Sequence, residues 1–451
     1  MRGLARVATY GIPIFSVGVA ALVFLGPGAH RAVLGARVLG QPAEGSRGVA
    51  LRIETARSYF DVVEAAAVPD LVVEAAAAGQ ELPAWHGASG PDGVAEALLQ
   101  AGAPLAGPIA VRVSAVHGKR RELLAEGVVD LHKPAPPAAE TGALKGAARG
   151  EIAIHVYATR GWLAAPFPEE LWVSAAAADA PDGIPASITL SGAGLEITPP
   201  SRSWDGRGHA PFQVKAIWHH VDLEVTARAG AREGHWEGTL PVVPGAIWLD
   251  PASVSGPLTL VSPSPREPAY VSLWTEEGRV AGAVVPLARD AFGFYRGTAP
   301  IAVPGAASVA GLTVAGDARE HGSGTVTWPI RPTGCTMEPP PMPILLDGVP
   351  ASVARDDRRA WTARRIGLAL IGAAAFAEVV LLLLLGRASQ RRLEAHLATA
   401  SSEDEEGAAL PAADRAKLME AAREHPLLRA LLGAALLVLA FAMLAALATF
   451  R

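Results

Sequence analysis

Hydrophobic and polar positions follow two rhythms along this chain of 451 residues. Three stretches are apolar almost throughout: 7–29 between Arg6 and His30, 366–386 between Arg365 and Arg387, and 430–450 before Arg451. At about 1.5 Å rise per residue, some 21 helical residues cover roughly 31 Å, the hydrocarbon thickness of a bilayer. The pattern predicts three transmembrane helices. The first is read as a transmembrane helix or signal anchor that stays uncleaved. Its apolar run exceeds the roughly 7–15 residues of a signal-peptide core, and Pro27 spoils the small-residue cleavage pattern.

Between the first two spans the period changes to two. Within 150–251 the candidate strands are 151–158, 170–176, 185–190, 194–197, 212–218, 221–228 and 234–240. In the sixth, Val221, Leu223 and Val225 point one way while Asp222, Glu224 and Thr226 point the other, as in a half-buried antiparallel strand. Asp182-Gly183, Asp205-Gly206 and Ala229-Gly230 supply turns. Seven short strands in about 100 residues is an immunoglobulin-like count. Similar rhythms predict a β-sandwich over 256–329 and another over 48–133. Alanine runs at 65–67 and 75–78 weaken the latter, because Ala favours helix over strand. Residues 134–149 read as a linker, and the prolines of 330–365 as a stiff extended stalk. The loop 387–429 reads as a helical hairpin. The expected class is therefore mainly β: tandem immunoglobulin-like sandwiches in a large extracytoplasmic region, plus three membrane helices.

Composition narrows the possibilities. A mean hydropathy of +0.27 fits a membrane protein. A formal net charge of -5 argues against a nucleic-acid partner. Arg387, Arg391, Arg392, Arg415, Lys417 and Arg423 suit a cytoplasmic loop, although five arginines between 355 and 365 crowd the opposite end of the second span. Long domains cross membranes largely regardless of charge. The expected arrangement is thus an amino terminus inside, 30–365 outside and 387–429 inside, in a bacterial-type inner membrane.

The run 151–244, with Gly208, Ala210, Phe212 and Val214 in a Gly-x-Ala-x-Phe-x-Val cadence, resembles bacterial immunoglobulin-like or macroglobulin-type sandwich modules. The resemblance implies a fold. Macroglobulin traps carry a Cys-x-Glu-Gln thioester, whereas Cys335 is followed by Thr336, Met337 and Glu338, so that chemistry does not carry over.

No nucleophile elbow, phosphate loop or His-Glu-x-x-His pair occurs, and no catalytic residue or cofactor is assigned. Four of the twelve histidines, His209, His219, His220 and His235, lie within 27 residues. His220, Asp222 and Glu224 would share one strand face, a set that could hold a divalent cation. A solvated polar face is the preferred reading, since nothing in the spacing demands a second shell. The lone Cys335 in an accessible stalk could join two chains as a homodimer. Glu378, deep in the second span, is an intramembrane acid and so a functional candidate, with Ser16 of the first span at nearly the same depth. Small residues around it permit close helix approach. The expected function is a non-enzymatic envelope protein whose modules bind or scaffold a protein partner beside the lipid bilayer. The alternatives are an accessory subunit of a transport or secretion complex, held through its membrane helices, and an envelope enzyme with metal at the histidine cluster.

Overall fold

The structure, a computed structural model, describes residues 10–26, 31–43, 45, 47–60, 62–77, 79–130, 139–275, 278–303, 311–338, 342–403, 413, 414, 416 and 417. Two compact units make up the chain: Ala32–Val353, and Met1–Arg31 with Ala354–Arg451.

Ala32–Val353 is built from sheets that pack in pairs, antiparallel apart from the short parallel pairing of Leu163–Ala164 with Val242–Val243. In the central sandwich, Ala147–Gly150, Arg232–Thr239, Asp222–Ala229, Ala186–Ala193 and Ser201–Trp204 form one sheet in that order. Ile152–Ala158, Pro168–Ala177, Ala210–Ala216 and Leu195–Thr198 form the other. The alternation works as the sequence reading describes: Val221, Leu223 and Val225 are buried, while Asp222 and Glu224 are exposed. The Gly-x-Ala-x-Phe-x-Val cadence is likewise a strand, with Ala210, Phe212 and Val214 in the core. Its tight turns need glycine, as at Gly206 (φ 83°) and Gly230 (φ 62°).

The third sandwich pairs a sheet containing Gly278–Val285, Ala269–Thr275, Gly311–Ala315 and Val326–Pro329 with one of Trp248–Leu249, Leu258–Ser262, Tyr295–Ala299 and Ala288–Arg289. The first sandwich holds the alanine runs. Ala75 and Ala77 are buried in the strand Leu71–Ala77, beside Val111 and Val113. Strand pairing and burial here override the helical preference of alanine.

Four expectations are corrected. The first sandwich begins at Val33, not 48, because Val33–Pro42 pairs along its whole length with Gly48–Tyr59. The expected linker 134–149 contains strands: Ala139–Thr141 pairs with Cys335–Met337, and Ala147–Gly150 with Arg232–Thr239. The expected stalk is not extended spacer. Cys335–Met337 belongs to the third sandwich, and Ile344–Asp347 returns to the first, pairing with Val33–Pro42. Pro343 immediately precedes Ile344–Asp347, at a strand edge where no ladder donor is needed. The second and third sandwiches are thus inserted within the first. The last correction concerns the first arm of the expected hairpin, which is no separate element. A single helix runs from Val349 to Glu403, 55 residues, through the second apolar stretch.

The first apolar stretch carries a helix, α1, over Ile12–Phe24; the long helix is α2. Where three membrane helices were expected, one helix among the described residues, α2, is long and apolar enough to cross a membrane. The stretch 430–450 lies outside the described residues. In the helical unit, Val23 of α1 lies against Gly367 of α2, where an added Cβ would meet its side chain at 3.0 Å. Ser16, Ala20 and Val23 form one buried stripe on α1. Ala360, Gly367, Ile371 and Glu378 form the corresponding stripe on α2.

Candidate functional site

The residues proposed from sequence separate in space. His220 Nε2 is 3.7 Å from Asp222 Oδ2, both well exposed, but Glu224 instead accepts from Ser191 Oγ at 3.5 Å on the neighbouring strand. His235 pairs with Thr226 (3.3 Å) and Glu233 (3.4 Å), and His209 packs between Tyr157 and Trp172. Among the described residues no group of three or more His, Cys, Asp or Glu is arranged to hold a metal. The histidines read as one cluster in sequence because they are close along the chain, yet they occupy different strands and turns. Cys335 is buried in a strand, and its thiol faces the Thr333 carbonyl at 3.5 Å. The accessibility on which a disulfide-linked homodimer was argued does not hold. Ser16 and Glu378 are both buried, and among the described residues neither Ser16 Oγ nor Glu378 Oε2 has a hydrogen-bond partner.

The densest charge clusters lie where the sandwiches meet, and sequence reasoning did not single them out. Gly48–Tyr59 sends Val49, Leu51 and Ile53 into the first core, so period two turns Arg52 and Glu54 to the opposite face. That face is covered by the third sandwich, not by water. Arg52, 0% exposed, donates to Glu96 Oε1 at 2.5 Å and to the Ala318 carbonyl at 2.6 Å, and pairs with Glu320 at 2.9 Å. Arg279 completes the group, donating to Glu96 at 2.9 Å and to Ser272 Oγ at 3.1 Å; Ser272 in turn donates to Glu320. Around this core Tyr270 donates to Asp92 at 2.6 Å and Arg319 pairs with Glu54 at 3.6 Å. Burial pulls the Arg52 pKa down, but the charges of Glu96 and Glu320 outweigh it and leave the net shift upward. Burial and the Asp92 carboxylate also push the Tyr270 phenol up.

A second junction joins the central and third sandwiches. Phe167 stacks on Trp248 at 4.9 Å and 4°, entering the third core from the central sandwich. The Trp248 indole donates to Glu169 Oε1 at 2.6 Å, and Arg160 donates to the Leu249 carbonyl at 2.7 Å. Arg160 also lies 3.6 Å from Glu169 and 5.0 Å above the Trp328 ring. Burial pushes the Glu169 carboxyl up to about 7, against the opposing pull of Arg160 and of the Trp248 N–H. The serine hydroxyl beside a carboxylate, Ser272 against Glu320, is fully buried, and that carboxylate is paired with Arg52. What both junctions can do is lock one sandwich to the next, because an ion left without its partner in such a dry site is strongly unfavourable.

No family model matches the chain, and no curated protein matches it significantly. Solved structures similar to it include the D0–D1 domain of intimin, at 11% identity and TM-score 0.16, covering 46% of this chain and 97% of that one. Invasin, a bacterial integrin-binding protein, is similar at 14% identity and TM-score 0.17, covering 62% of this chain and 56% of that one. Escherichia coli alpha-2-macroglobulin activated by porcine elastase is similar at 12% identity and TM-score 0.18, covering 55% and 26% respectively. Similarity this distant carries no argument about activity, and the sandwich fold rests on the sheets described above.

Proposed function

We propose that the chain is a non-enzymatic, membrane-anchored envelope protein whose three sandwiches present one rigid extracytoplasmic surface to a protein partner. The carrying observation is the closure of the first sheet. Asp347 pairs with Arg37 in register, and their side chains meet at 3.2 Å, so the chain enters and leaves the β unit at one end of one sheet. An apolar helix long enough to cross a bilayer follows directly. The two buried junctions support rigid presentation over a loose string of modules. Topology is tested with reporter fusions after residues 334 and 403. Reporters on opposite sides of the inner membrane are expected, and reporters on the same side would sink the reading.

A second reading, an accessory subunit bound through its membrane helices, is favoured by the burial of Ser16 Oγ and Glu378 Oε2, neither of which has a partner among the described residues. A polar group held in hydrocarbon calls for a partner. Loss of a co-purifying integral protein on both Glu378→Gln and Glu378→Leu would support it. Unchanged co-purification would leave the extracytoplasmic surface as the working face.

A further inference from the structure

We propose that one face of α2, formed by Arg358, Trp361 and Arg365, holds the phosphate headgroup of an anionic phospholipid where the helix enters the membrane. The proposal rests on the membrane anchorage argued above. At about 100° per residue, steps of three and four place these residues on one side of the helix. That side lies roughly opposite the buried stripe of Ala360, Gly367, Ile371 and Glu378. All three members of the proposed site are exposed, Trp361 at 54%. The acids of the same segment, Asp356 and Asp357, fall on the flanks of the buried stripe, so the proposed face carries cations and no acid.

The side chains are held ready for an anion. The Arg365 guanidinium lies over the Trp361 ring at 3.5 Å, a cation–π contact. That contact engages the face of the guanidinium, whereas its N–H edge is the part that binds phosphate oxygens two at a time. Arg358 Nε donates to the Ala354 carbonyl at 3.1 Å, and Thr362 Oγ1 to the Arg358 carbonyl at 2.7 Å, which braces the turn. Among the described residues neither Arg358 nor Arg365 pairs with an acid. The Trp361 indole supplies a further donor, and Trp suits the headgroup level of a bilayer. Beyond Arg365 the same face continues through Ala369, Gly372, Phe376, Val380 and Leu383, all exposed and uncharged. A phosphate at the arginines with acyl chains along this stripe matches an anionic lipid, whereas a soluble phosphate needs no apolar continuation. In the topology proposed above these arginines lie outside the cytoplasm, although the positive-inside bias concentrates arginine on the other side. Orientation gives no reason for them; an anionic headgroup does.

The test uses the full chain in phosphatidylcholine vesicles holding a trace of spin-labelled phosphatidylglycerol or spin-labelled phosphatidylcholine. Electron paramagnetic resonance reads the fraction of each label restricted by the protein. We expect phosphatidylglycerol to be favoured at least about threefold. Arg358→Gln combined with Arg365→Gln should remove most of that preference while the restricted phosphatidylcholine fraction, a measure of insertion, stays unchanged. Arg391→Gln combined with Arg392→Gln, exposed towards the far end of α2, should keep most of it. Equal losses in the two variants, or no loss in the first, would overturn the site. Excess glycerol 1-phosphate erasing the preference would assign the face to a soluble phosphate and overturn the lipid. A restricted fraction of neither label would overturn the anchorage beneath the proposal as well.

Discussion

Glu169 shows how far a side chain's behaviour can depart from its sequence context. In the segment 166–170 it reads as an ordinary acid on an alternating strand; in the fold it is buried against Trp248. With its folded pKa raised to about 7, above an unfolded value near 4.5, the carboxyl keeps its proton longer in the native state. Its contribution is therefore fully present below pH 4.5 and is lost as pH rises through 7, a change of about 3 kcal/mol. Denaturant melts between pH 4.5 and 8 should show stability falling across that window, and Glu169→Gln should flatten this part of the profile. Arg52 differs, since its guanidinium, despite its burial held above its ordinary pKa by Glu96 and Glu320, keeps its charge across that window. Arg52→Ala leaves Glu96 and Glu320 facing a cavity, and should cost about 3–5 kcal/mol in the same melts. A loss below 1 kcal/mol would show that the cluster is solvated. Neither role was legible in the sequence, because a polar face against water and one against another polar face have the same period-two pattern.

Elements were more readable than contacts. The central strands expected at 151–158, 221–228 and 234–240 appear at Ile152–Ala158, Asp222–Ala229 and Arg232–Thr239. Their alternation and turn glycines are local signals, so the sequence states them directly. Elements whose partners are remote in sequence were missed. Val33–Pro42 has a weak alternation of its own and is defined by its pairing with Gly48–Tyr59 on one side and Ile344–Asp347 on the other. The prolines near Cys335 suggested a stalk for the same reason: they state where a ladder cannot run, not whether short strands lie between them. A fragment of residues 32–343, lacking the closing strand, should therefore melt lower than 32–353 by several degrees in calorimetry. Equal melting temperatures would mean that Ile344–Asp347 is an accessory edge.

At the scale of the whole molecule, the insertion of two sandwiches within a third changes what the chain can do. A string of modules would bend at each linker, whereas here the Arg52–Glu96–Arg279–Glu320 cluster and the Trp248–Glu169–Arg160 cluster tie neighbours together. The sequence by itself determined the β class, most strand positions of the central and third sandwiches, the apolar character of α1 and α2, and the absence of familiar catalytic motifs. Each follows from periodicity or composition over a few adjacent residues. The tertiary structure alone decided the return of Ile344–Asp347 to the first sheet, the burial of Cys335, the dispersal of the histidines and the pairing of buried charges across junctions. Those depend on residues from about fifty to about three hundred positions apart, and a pattern with a two-residue period carries no record of which distant surface will cover its polar face.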